Sequence, residues 1–116
     1  MVAKMGDEVD IMTVDHQVWL GSIERLSKIF SVPKEGISLS DKFGVDLKPS
    51  FVSDFRDNEL DVINNDIHDV ADKRSASDLS AGRLVIETVN DYCEFMVRCS
   101  RSNAKEVMHL LKIDLL

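Results

Sequence analysis

The 116-residue sequence predicts an all-α fold, with a single helical domain over residues 14–116 behind a flexible N-terminal arm of residues 1–13. Three observations carry that prediction. Apolar residues recur at three- and four-residue spacing in three stretches, Trp19 to Phe30, Leu60 to Ala71 and Val89 to Met96. Residues suited to opening a helix, Asp57 and Thr88, stand ahead of the second and third. The one short run of β character, Leu84-Val85-Ile86, has no second strand to pair with and is expected as a buried connection.

Met1 to Thr13 show weak periodicity and an internal methionine, Met5, as expected of a frayed arm or an alternative start. The first helix is expected from about Val14 to Phe30, with Asp15 near its start. Trp19, Ile23, Leu26 and Phe30 share its core face, Ile29 stands at the edge, and Glu24 and Lys28 form a surface pair. Pro33 stops it, with Ser31 and Val32 as the exit. The span from there to Asp57 is too long to lack structure in a compact domain. Ser38 followed by Asp41 suggests one helical turn over Leu39 to Phe43, ended by Gly44; Val45, Leu47, Phe51, Val52 and Phe55 are the expected apolar pins.

An acidic helix follows. The Asp57 carboxylate is placed to cap it, and Asp57, Glu59 and Asp61 put negative charge where the helix dipole is positive. Leu60, Ile63, Ile67, Val70 and Ala71 form its core stripe. The far side carries Asn58, Asp61, Val62, Asn65, Asp69 and Asp72, a partner-facing surface because Val62 is an apolar residue among acids.

Lys73 to Ser80 reads as a polar loop, with Asp78 to Gly82 closing a short turn that Gly82 ends in the left-handed conformation. Thr88 and Asp91 form a capping-box variant opening a helix to about Arg101, with Val89, Tyr92, Cys93 and Met96 on one face. Ser102 or Asn103 caps a last helix from Ala104 to about Ile113, whose buried side is Val107, Leu110 and Leu111; Met108 and His109 fit either face. The Asp-Leu-Leu end frays or packs on a neighbour, and Leu115 and Leu116 leave room for a homodimer contact or for burial within one chain.

Composition narrows the function. With 21 acids against 14 bases the formal charge is −7, which repels phosphate backbones and anionic membranes and favours a protein partner with a basic surface. Lys34, Lys42 and Lys48 are scattered and make no phosphate site. Cys93 and Cys99 fall on different faces of one helix, so no mutual disulfide is expected and a reducing, cytoplasmic setting fits. His16, His68 and His109 lack partners at metal-ligand spacing. No glycine-rich phosphate loop, nucleophile elbow, secretory signal or membrane span is legible, and no catalytic residue is expected.

The stretch from Ser50 to Asp61, Ser-Phe-Val-Ser-Asp-Phe-Arg-Asp-Asn-Glu-Leu-Asp, resembles the segment leading into the second helix of acyl carrier proteins. Members of that family typically read Ser-Phe, an acidic pair, an apolar residue, Gly, then Asp-Ser-Leu-Asp. Ile86 to Tyr92 is similar to the threonine-capped start of the family's last helix. The resemblance implies a small acyl-carrier-like four-helix bundle, here with an extra C-terminal helix. The family attaches phosphopantetheine to the serine of Asp-Ser-Leu; Asn58-Glu59-Leu60 stands at those positions, and glutamate has no hydroxyl to attack the coenzyme's phosphoanhydride. Asp66 and Asp69 also fall where the family's spacing expects buried residues.

The expected function is therefore non-enzymatic and cofactor-free: an adaptor or regulator meeting its partner through Asp57, Glu59, Asp61, Val62, Asp69 and Asp72. The alternatives are a genuine carrier modified at another serine such as Ser53, and a small acidic inhibitor or immunity protein.

Overall fold

The computed structural model describes residues 2–48 and 58–113, and side chains from residue 14 onward. Its elements are α1 (Val2–Phe30), a single 3-10 turn (Lys34–Gly36), α2 (Glu59–Val70), α3 (Lys73–Ser80), α4 (Val89–Ser100) and α5 (Ala104–Leu111). The fold is all-α. Among the described residues no strand forms, only two isolated bridges, Lys42 with Thr88 and Phe43 with Leu47. Phe51, Val52, Ser53, Phe55, Asp57, Leu115 and Leu116 lie outside the described residues.

α1 begins at Val2, well ahead of the start expected near Val14. Ala3, Lys4, Met5 and Glu8 are good helix formers, so backbone propensity extends the helix where no clear apolar stripe announces it. The other end stops at Ser31, whose φ of 56° is left-handed, just before Pro33.

α1 and α4 form the main helix pair, and the core gathers along it. Val18, Leu26 and Phe30 of α1 meet Val89, Tyr92, Cys93, Phe95, Met96 and Cys99 of α4, with Val107 and Leu111 of α5 closing the cluster. Trp19 is only half-buried; Val18 takes the fully buried place instead. Ser22 is buried on the same face and donates to the Val18 carbonyl at 2.7 Å, so its hydroxyl carries no unmet polar demand. At Gly21 the end of α5 approaches so closely that an added Cβ would stand 2.7 Å from Ile113 Cδ1.

The helical turn expected over Leu39 to Phe43 is absent. The Asp41 carboxylate accepts the Ser38 N–H at 2.8 Å and holds a tight turn instead, while Gly44 reverses the chain at φ 86°. Long-range bonds explain that choice. The carbonyls of Asp41 and Leu39 accept the N–H groups of Val89 and Asn90 at 3.0 and 2.9 Å, and Thr88 Oγ1 accepts that of Asp91 at 3.1 Å. Three donors that the start of α4 would leave orphaned are thereby satisfied. Phe43 seals the joint, stacked on Phe30 at 6.1 Å and edge-on to Tyr92 at 6.2 Å. Of the expected pins, Leu47 is buried and Val45 exposed.

Lys73 to Ser80 is a helix rather than a loop. Asp72 caps it by accepting the Ser75 N–H at 2.7 Å, a signal masked by serines that usually favour turns. Gly82 ends the segment at φ 76°, as its position suggested. Arg83 and Arg98 both donate to Asp78, at 3.0 and 2.7 Å, tying α3 to α4. In the connection to α4, Leu84 and Ile86 are half-buried and Val85 is exposed, so the run is only partly covered.

Candidate functional site

α2 opens on Asn58 rather than Asp57. Asn58 Oδ1 accepts the Asp61 N–H at 3.0 Å and Asp61 Oδ2 accepts the Asn58 N–H at 3.1 Å, a reciprocal capping box. Glu59 is the first residue of the helix and is half-buried. Ile63, Ile67 and Val70 are buried, with Leu60 and Ala71 half-covered beside them. On the opposite side Asp61, Asn65 and Asp69 are exposed.

Not every expected contact residue shares that surface equally. Val62 is half-buried, so it is not stranded in the open. Asp72, also half-buried, is engaged within the molecule, where it caps α3 and accepts the Ser102 hydroxyl. Those bonds, Ser102 first and then Ser75, lower its carboxyl to about 2. Asp61 and Asp69 are therefore the two described acids of the expected set that are exposed on α2, Asp61 with one carboxylate oxygen engaged in the capping box. Asp57 lies outside the described residues.

Of the two acids at positions where the acyl-carrier spacing expects buried residues, Asp69 is exposed and Asp66 is buried, and what sequence reasoning missed is the network that Asp66 makes there. Asp66 is 2% exposed and sits inside the stripe formed by Ile63, Ile67 and Val70. Arg25 of α1 grips it with both ends of its fork, Nε to Oδ2 at 2.9 Å and Nη2 to Oδ1 at 2.8 Å, and the buried Tyr92 hydroxyl of α4 donates to Oδ2 at 2.9 Å. Desolvating a carboxylate costs several kcal/mol, and three convergent donors are what offset it. The network shifts its neighbours too. The hydrogen bond to Asp66 raises the Arg25 pKa, and burial, followed by the Asp66 charge, pushes the Tyr92 phenol well above its usual range. The available signal was the acid on an apolar stripe, which demands a buried partner.

A second tie fastens the other end of α2. Asn103, the residue before α5, makes no side-chain cap there; its Nδ2 donates to the Val70 carbonyl at 2.9 Å.

Elsewhere, a groove of about 480 Å³ runs between α1 and α4, with Trp19 and Val97 on its walls and Asp15, Arg98 and Arg101 at its edges. Arg101 reaches Asp15 at 2.9 Å, so opposite charges face each other there. Both cysteines are buried, and burial raises Cys93 to about 12 and also raises Cys99, which keeps the thiols protonated and poor as nucleophiles. Among the described residues no group of His, Cys, Asp and Glu is arranged to hold a metal ion, and no helix is long and apolar enough to cross a membrane. Comparison with protein-family models, with curated proteins and with solved structures returns no match.

Proposed function

We propose that this protein is a non-enzymatic interaction module of acyl-carrier-like architecture, an adaptor or regulator that presents α2 to a basic protein surface and carries no phosphopantetheine. One observation supports the reading above the others: Asp61, Asn65 and Asp69 form a solvent-facing row on a helix whose first residue is Glu59. A carboxylate at that place favours the positive end of the helix and offers no oxygen nucleophile for a stable phosphodiester. The order of elements fits the same architecture, with a long first connection, a capped acidic α2, a short α3, and α4 opened by Thr88.

In this reading Asp61 and Asp69 supply the charge, with Val62 a partial apolar contact at the margin. The formal charge of −7 attracts a basic partner at long range and speeds encounter, an effect that salt weakens. Cytoplasmic residence and a protein rather than nucleic-acid partner belong to the same proposal.

Incubation with coenzyme A and a broad-specificity phosphopantetheinyl transferase, followed by intact mass, tests the missing prosthetic group. The expected result is an unchanged mass of 13.1 kDa. A phosphopantetheine adduct on any serine overturns it. With a partner captured from the native host, Asp69→Asn should weaken binding more at low salt than at high salt. Unchanged affinity at both would remove α2 as the contact surface.

A further inference from the structure

We propose that α2 opens from the rest of the bundle as a separate unit, and that the polar ties made by Asp66 and Asn103, added to the apolar contacts of Ile63, Ile67 and Val70, hold it closed. The latch acts in the free protein, whether or not α2 is the docking helix. Its basis is the unequal way the helices are held. α4 buries seven of its twelve residues, nearly all apolar, whereas α2 buries four of twelve and one of these is Asp66. Lifting α2 withdraws Ile63, Ile67 and Val70 from the shared core, while α1 and α4 keep the packing they make with each other.

The ties themselves favour a two-position element. Arg25 is 26% exposed at its side chain while Asp66 is 3% exposed, so closure strips the carboxylate of water more completely than its arginine partner. Asn103 bonds the end of α2 instead of capping its own helix, and Ser102 bonds Asp72 at the α2–α3 junction. The bonds to Asp66 and to the Val70 carbonyl have a specific direction and vanish once α2 moves, and water then satisfies each freed partner, while the Ser102–Asp72 bond holds the α3 side of the junction in place. Separating an equivalent apolar interface has no such replacement. Opening of this kind has the form of a sub-global unit, with a free energy below that of complete unfolding.

Native-state hydrogen exchange on the full chain, across low concentrations of urea, tests the latch. Amides of α2 should open at lower free energy, and with a shallower urea dependence, than the slowest amides of α4. Tyr92→Phe removes one donor from Asp66 while keeping the ring, and should speed α2 exchange about tenfold or more. A single opening free energy and a single urea slope shared by α2 and α4 would show that no separate unit exists. Unchanged α2 exchange in Tyr92→Phe would show that Asp66 is not the latch. Neither readout involves a partner or coenzyme A, so failure here leaves the proposed function standing, and the reverse also holds.

Discussion

α2 and α4 begin alike and are anchored differently. Each is twelve residues long, and each opens on a reciprocal capping box, Asn58 with Asp61 and Thr88 with Asp91. Their starts are thus matched in local chemistry. What separates them is the face turned inward: α4 offers Val89, Tyr92, Cys93, Phe95, Met96 and Cys99, while α2 sets a carboxylate among Ile63, Ile67 and Val70. Good capping specifies where a helix starts. The composition of the buried stripe decides how firmly it is held, and by which neighbours.

The sharpest way to break the comparison is at Asp66. Arg25→Met removes two of its three donors and leaves a buried carboxylate with Tyr92 alone. It should cost about 3–5 kcal/mol in urea unfolding, the range for orphaning one member of a buried ion pair. Combining Arg25→Met with Asp66→Leu and Tyr92→Phe should restore most of that loss, because an apolar stripe needs no donors. If the triple variant stays as unstable as Arg25→Met, the loss lies in packing around Arg25 and not in the charge.

How much of this was legible in the sequence follows the same division. Ile63, Ile67 and Val70, and likewise Val89, Tyr92, Cys93 and Met96, were readable because helical spacing is a local property. The Thr88–Asp91 box was readable for the same reason, lying within four residues. The pairing of Arg25 with Asp66 spans 41 positions, and no local pattern encodes it. The turn at Asp41 likewise depends on amides of α4, and the side chain of Asn103 was drawn off by a carbonyl 33 positions away. α3 was hidden because its serines resemble a loop until Asp72 is seen to cap it and Ser75 to be buried. For the expected site, charge and helix face were legible, but the commitment of Asp72 inside the molecule was not.

The two caps sharpen the comparison further. Thr88→Ala and Asn58→Ala should each cost about 1 kcal/mol in global unfolding, the usual worth of an N-cap. They should part company in hydrogen exchange. The Thr88 cap survives when α2 lifts away, so Thr88→Ala should leave the opening of α2 unchanged. The Asn58 cap belongs to α2, and a twelve-residue helix stripped of its packing unwinds in water, so the cap is lost on opening and Asn58→Ala should lower that opening energy by the same amount as the global one. Equal effects of both variants on α2 would mean that the two helices open together.

The smallest expected effect lies at the junction, where Asp72 joins the end of α2 to Ser102 beyond α4. Its folded-state pKa of about 2 stands below the ordinary 3.8, so the folded protein binds fewer protons there than the unfolded chain. The stabilisation is therefore complete above the unfolded value and is lost as the pH falls from near 4 toward 2. Asp72→Asn retains an oxygen able to accept the Ser75 N–H but has no carboxyl to titrate. Its unfolding free energy should fall less steeply than that of the wild type across that window, measured by urea titration at stepped pH. Identical slopes would show that the Ser102 and Ser75 bonds to Asp72 do not distinguish carboxylate from carboxylic acid, and would leave Asn103 as the tie at that end of α2.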